Sequence, residues 1–197
     1  MRIVSPTTEG IAEAASLVRA GEVVAYPTET VYGLAVDPFS KAAIQKLFAV
    51  KGRAETEPVL LIAADIEQVE RLVDGISAAA RRYIDRFWPG PLSLVLPRSE
   101  SLPSELCAGG PKVCVRIPAC ESARALCLAA GHPITSTSAN RSGAPAARSA
   151  GAIDLDGVAL CIDGGVLPPS LPSTVFDPDA RIIFRQGAVP GKLLLGE

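Results

Sequence analysis

The stretch 23-VVAYPTETVYGL-34 decides how the rest of the chain is read. Val23, Val24, Ala25 and Tyr26 form an uninterrupted apolar run of strand length, which reads as a buried β-strand. Thr28, Glu29 and Thr30 then place two small hydroxyls and a carboxylate directly beyond the strand end. In α/β sheets, ligands bind outside strand ends, where loops expose short polar side chains and backbone amides. The segment therefore points to a sheet and to a site at its edge.

Outward from this strand, helix and strand signals alternate. Ile11, Ala15 and Val18 share one helical face, and Gly21 stops that helix. Ser40 is placed to cap a helix that carries Ile44, Leu47 and Phe48 inward and ends at Gly52. The run 59-VLLIA-63 reads as a second buried strand. Asp65 and Ser77 are N-caps for two more helices, the latter ending at 87-FWPGP-91. Strands are expected at 92-LSLVL-96 and 113-VCVRI-117, and a helix near 120-CESARALCLAA-130 closes on Gly131. The segments 134-ITSTSA-139, 158-VALCI-162, 173-STVF-176 and 181-RIIFR-185 read as extended, the last two joined by the turn 177-DPDA-180. Helical crossovers combined with a hairpin imply an α/β fold with a mixed sheet and flanking helices. The Pro- and Gly-rich region 141–172 reads as surface loops over one domain, so residues 1–197 are expected to form a single domain.

Composition narrows the function. A chain of 197 residues, 48% of them hydrophobic, can bury a substantial core. Its apolar runs are strand-length, and 1-MRIVSPTTEG-10 has no apolar signal-peptide core, so a cytoplasmic enzyme with no membrane partner is expected. A net charge of −2 argues against a dedicated nucleic-acid binder. The five cysteines form no C-x-x-C and the chain has one histidine, His132, so they read as reduced core residues and no metal ligands are assigned. There is no P-loop, no G-x-G-x-x-G opening a helix, no G-x-S-x-G elbow beside His132 and no clustered carboxylate pair.

Polar groups at the ends of elements remain. Lys51 and Arg53 close a helix, Arg116 sits inside an apolar run, and Arg185 ends another. Ser136, Ser138 and Asn140 alternate, so one strand would turn all three the same way. Each has a plain structural reading beside the functional one. Thr28 and Thr30 cap turns, Lys51 and Arg53 neutralise a helix C-terminus, and the serines satisfy local backbone groups. Arg116 is harder to explain so, because a buried guanidinium needs a carboxylate or phosphate partner; Arg185 repeats that argument. Together these cations suit an anionic small ligand such as a nucleoside triphosphate.

The stretches 26-YPTETVYGL-34, 51-KGR-53, 88-WPGPLSLVL-96, 113-VCVRIP-118 and 134-ITSTSANRSG-143 strongly resemble the YrdC-like family of threonylcarbamoyl-AMP synthases, in its short single-domain form. Similar blocks run from about residue 5 to about residue 188. The resemblance implies a twisted α/β sheet around a large cationic cavity. It also implies condensation of L-threonine, bicarbonate or CO2 and ATP into threonylcarbamoyl-adenylate, with release of pyrophosphate and with Mg2+ accompanying ATP. A downstream tRNA threonylcarbamoyl transferase complex would then modify tRNA. By motif, Lys51 and Arg53 are the catalytic candidates, and Thr30, Arg116, Ser136 and Ser173 would bind threonine. Lys51, Arg53, Lys112, Ser138, Asn140 and Arg185 would hold ATP. No residue is assigned as general base; solvent and Glu29 both stay open. Glu57 and Ile62 depart from residues that some members carry at those positions. Two other readings share the fold: a module binding tRNA or double-stranded RNA, and a paralogue acting on another carbamoylated substrate.

Overall fold

Two mixed sheets, rather than the one expected, carry the strands of the computed structural model, which describes residues 1–52 and 57–196. The first sheet contains β1 (Arg2–Val4), β2 (Val23–Tyr26), β3 (Gly33–Ala35), β8 (Thr137–Ser138) and β9 (Val158–Ile162), in the order β1-β9-β2-β3-β8. Its β1, β9 and β2 run parallel, and β3 is antiparallel to both β2 and β8. The second contains β4 (Leu60–Ile62), β5 (Leu92–Pro97), β6 (Lys112–Arg116), β7 (Ile134–Thr135), β10 (Thr174–Asp177) and β11 (Ile182–Arg185), in the order β11-β10-β5-β6-β4-β7. The helices are α1 (Thr8–Arg19), α2 (Lys41–Lys51), α3 (Ile66–Glu70), α4 (Ala78–Phe87), α5 (Glu121–Ala130) and α6 (Lys192–Leu195). No helix among the described residues is long and apolar enough to cross a membrane.

The continuous apolar run of β2 has a direct cause: both its faces are buried. Val23 and Ala25 join a core with Leu34, Leu61, Leu94 and Val115, which draws on both sheets. Val24 and Tyr26 face Ala15, Val18, Leu126 and Cys127 of α1 and α5. The expected caps form. Ser40, Asp65 and Ser77 accept hydrogen bonds from Ala43 N (3.3 Å), Gln68 N (2.9 Å) and Ala80 N (3.0 Å). Strands β1 and β3 and helix α6 were not anticipated. Each is three or four residues long and is set by its partners rather than by local pattern: β1 pairs with β9, β3 lies between β2 and β8, and Leu194 of α6 packs into the core.

The largest departure from the sequence reading lies at 134-ITSTSA-139. This is not one strand. Ile134–Thr135 pairs with β4 in the second sheet, and Thr137–Ser138 pairs with β3 in the first. The chain changes sheets at Ser136. Thr135 makes the crossing possible, because its hydroxyl donates to Leu34 O (3.0 Å) and accepts from Val36 N (2.9 Å). Ser136 N donates back to Leu60 O (2.7 Å), and Tyr26 Oη donates to Thr135 O (3.1 Å). One short segment thus bonds to backbone on both sides of the gap between the sheets.

A second fixed point lies at the other end of the second sheet. Thr174, fully buried, donates through its hydroxyl to Val189 O (2.7 Å) and accepts from Gly187 N and Val189 N (both 3.0 Å). Gly187 packs so closely that a Cβ would stand 2.2 Å from Pro172 O, so no larger residue fits without movement of the backbone beside Ser173. Thr174→Val would strip Gly187 N and Val189 N of their acceptor, while Val189 O would keep the Gln186 amide as donor. In denaturant unfolding it is expected to cost about 2–4 kcal/mol, whereas Thr174→Ser, which keeps the hydroxyl, should cost about 1 kcal/mol. Equal losses in the two variants would show that packing of the methyl, not the hydroxyl network, anchors this corner.

Candidate active site

The gap left by the sheet crossing is a cavity of about 1030 Å³. Strand alternation builds its floor. In β6, Val113 and Val115 enter the core, while Lys112, Cys114 and Arg116 line the cavity. Leu60, Val95 and Val175 extend the same face across β4, β5 and β10. The walls come from the loop after β2, from the crossing at Ser136–Ser138, and from residues 145–148 and 170–173. The Pro- and Gly-rich region read as surface loops therefore supplies part of the wall.

Thr28 is spent on a turn. Its hydroxyl donates to Val31 O (2.7 Å) and accepts from Thr30 N (3.1 Å) and Val31 N (3.2 Å). It also holds Thr30 Oγ1 at 2.9 Å, so Thr30 presents an oriented hydroxyl to the cavity. Ser173 is set in a different sense. Its oxygen accepts from Ser93 Oγ (2.9 Å) and Arg185 Nη2 (3.0 Å), which uses both lone pairs and leaves its own proton for a ligand acceptor.

Four cationic side chains, Lys112, Arg116, Arg148 and Arg185, line the cavity, and none of the described lining residues is a carboxylate. Arg116 is 2% exposed and donates through Nη1 to Glu29 Oε1 at 2.6 Å. Lys112 pairs with the nearly buried Asp177. Arg185 departs from the sequence reading. It lies on the exposed edge strand β11 rather than in a buried run, because β11 pairs on one side only. Its Nε and Nη2 donate to Ser173 O at 3.1 and 2.9 Å, and no carboxylate pairs with it among the described residues. Partial burial, reinforced by the charge of Arg116, pulls its guanidinium below the usual arginine range, so an incoming anion relieves it.

The sequence-derived site residues thus divide. Thr30, Lys112, Arg116, Ser136, Ser138, Ser173 and Arg185 line one cavity. Lys51 and Asn140 do not line it. Lys51, 4% exposed, donates through Nζ to Ser138 O (2.6 Å), Asn140 O (3.0 Å) and Asn140 Oδ1 (3.2 Å). Asn140 in turn donates to Ala144 O. The single strand that would have turned Asn140 toward Ser136 and Ser138 ends at Ser138, so Asn140 joins Lys51 behind the wall. Arg53 lies outside the described residues. Glu57 is exposed, and Ile62 packs in the core around α1 and α5.

Sequence reasoning missed Arg148, whose Nη2 is buried with no hydrogen-bond partner. A lone arginine in a loop carries no periodic signal, and only the fold brings it to the cavity. The two thiols that line the cavity, Cys107 and Cys114, are unsuited to nucleophilic chemistry at neutral pH. Burial pushes Cys114 up to about 12 and Cys107 up to about 11.

The model of the Sua5/YciO/YrdC family, described as "Telomere recombination", matches residues 16–187. A Pyrococcus abyssi protein named threonylcarbamoyl-AMP synthase is 41% identical over 182 residues, which is 90% of this chain and 54% of that protein. The chain thus spans about half the length of that relative. A Sodalis glossinidius protein of the same name is 36% identical over 189 residues, 94% of this chain and 100% of the relative. The crystal structure of P. abyssi Sua5 complexed with L-threonine superposes with a TM-score of 0.92 at 37% identity, covering 100% of this chain and 61% of that one. By sequence and by architecture, the chain belongs to the Sua5/YciO/YrdC family.

Proposed function

We propose that the chain condenses L-threonine, CO2 derived from bicarbonate, and ATP into threonylcarbamoyl-adenylate and pyrophosphate. The observation that carries this reading is the cavity lining, which among the described residues sets short hydroxyls beside four cations and includes no carboxylate. A small hydroxy amino acid and a polyanion are together the ligands such a lining complements. The names of the relatives support the same reading.

The chemistry asks the protein for position and charge more than for a classical base. The threonine ammonium gives up two protons to solvent as its nitrogen bonds to CO2, leaving a carbamate that keeps one N–H. A carbamate oxygen then attacks the α-phosphorus of ATP, the bond to the bridging oxygen breaks, and pyrophosphate leaves. In this assignment Arg116 pairs with the threonine carboxylate. Thr30 and Ser136 meet the amino acid's polar groups, and the free proton of Ser173 reaches a ligand oxygen. Ser138, Lys112 and Arg185 face the nucleotide, with Arg148 as a further cation, and Arg53 is assigned beside them from its motif. Lys51 and Asn140 act one layer back by holding the Ser138 wall. Fixed cations facing the phosphates stabilise the charge that builds on the leaving group without reorganising at the moment of reaction. Mg2+ enters as part of the ATP substrate. Among the described residues no group of three His, Cys, Asp or Glu side chains is placed to hold a metal. The product is a reactive mixed anhydride, so a separate transferase must carry its acyl group to tRNA.

Pyrophosphate release from ATP and bicarbonate is expected to require L-threonine; release that proceeds equally without it removes the proposal. Arg116→Ala should raise the KM for threonine about 10- to 100-fold through loss of a charge-assisted contact. Arg148→Ala and Arg185→Ala should instead raise the KM for ATP by about tenfold or more and change that for threonine little. The reverse split would mean that the two subsites are exchanged.

A further inference from the structure

Resting on the proposed function, we infer that Glu29 is the group that recognises the α-ammonium of the amino-acid substrate. It does so by exchanging Arg116 for that ammonium when the substrate carboxylate arrives.

Three observations meet here. First, Glu29 sits between Thr28 and Thr30, both on the cavity wall, and its side chain turns to Arg116 on the floor, with Oε1 2.6 Å from Nη1. Second, the pair is only half satisfied. Glu29 Oε2 and Arg116 Nε are both buried and both without a hydrogen-bond partner. Third, none of the described lining residues is a carboxylate, so Glu29, between the lining residues Thr28 and Thr30 and bonded to the lining Arg116, is the acid placed to meet a substrate cation there. An unpartnered acceptor and an unpartnered donor on one buried ion pair complement a ligand that carries both signs close together.

An α-amino acid is such a ligand. Its carboxylate would take up the unpartnered Nε of Arg116 and draw the guanidinium away from Glu29. Glu29, displaced, would be left buried and uncompensated unless a cation arrived with the competitor. The α-ammonium, two bonds from the carboxylate, is that cation. The exchange keeps every charge paired before and after binding. A ligand with the carboxylate and hydroxyl but no amine would strand Glu29, so the site discriminates against it. The geometry therefore gives Glu29 two roles in sequence: stand-in carboxylate for Arg116 in the empty cavity, and ammonium acceptor in the filled one.

The test is calorimetric titration of the intact chain with L-threonine and with 2,3-dihydroxybutanoate, the same skeleton bearing hydroxyl in place of the amine. Wild type, Glu29→Gln and Glu29→Asp are compared, with ATP affinity and thermal unfolding recorded for each. Glu29→Gln should weaken L-threonine about 10- to 100-fold. It should leave the deaminated ligand no weaker, because a neutral side chain releases Arg116 at no cost. Glu29→Asp, which keeps the charge, should recover part of the discrimination; failure of both variants to favour threonine differently would count against a charge-specific role. An unchanged threonine affinity in Glu29→Gln, or an equal loss for both ligands, overturns the inference and leaves Glu29 a structural prop for Arg116. Absence of threonine binding by the wild-type chain would instead remove the underlying functional reading, and this inference with it.

Discussion

The arrangement depends on one crossing. At Thr135–Ser136 the chain leaves the edge of one sheet and joins the edge of the other, and the Thr135 hydroxyl stands in for backbone by bonding Leu34 O and Val36 N. A strand that continued straight would close the space between the sheets with its own side chains. Because it switches, Ser136 and Ser138 turn toward open volume, and the floor residues of β6 have a wall to face. Lys51 extends the same constraint. A buried ammonium shared among carbonyl and amide oxygens of Ser138 and Asn140 leaves that wall little freedom to relax. For the proposed condensation, which needs two substrates held in line, such rigidity would itself contribute to catalysis.

The electrostatics follow from where the carboxylates are placed. The chain as a whole is weakly acidic, with a net charge of −2, yet the cavity concentrates cations. Glu29 and Asp177, which lie against lining residues, are each committed to a cation, Arg116 and Lys112 respectively. Arg148 and Arg185 line the cavity with no carboxylate paired to either among the described residues. An unbalanced guanidinium behind low-dielectric walls attracts an anion far more strongly than the same group in water. Overall charge is thus a poor guide to the charge a ligand meets.

Much of this was legible from residue order alone. Ser40, Asp65 and Ser77 signalled helix starts through hydroxyl or carboxylate caps, and the apolar runs at 23–26 and 92–96 marked buried strands. These signals are local, so they survive without knowledge of the partner. The apolar surroundings of Arg116 correctly implied a buried guanidinium that had to be paired. What the sequence could not convey depends on distant pairing. The period-two pattern of 134–140 is the same whether the strand stays in one sheet or changes sheets, so the fate of Asn140 was hidden. Apolar neighbours made Arg185 look interior, but β11 has a partner on one side only. Gly33–Ala35 becomes a strand because β2 and β8 flank it, not because glycine favours one. Arg148 carried no pattern at all.

The proposed condensation requires amino acid and nucleotide to share the space between the two sheets. A crystal structure of the chain with L-threonine and a non-hydrolysable ATP analogue tests it most directly. The account predicts both ligands in that space, with the amino-acid carboxylate on Arg116 and the phosphates beside Arg148 and Arg185. Either ligand bound elsewhere, with Arg116 still held by Glu29 and in contact with no substrate, would contradict it.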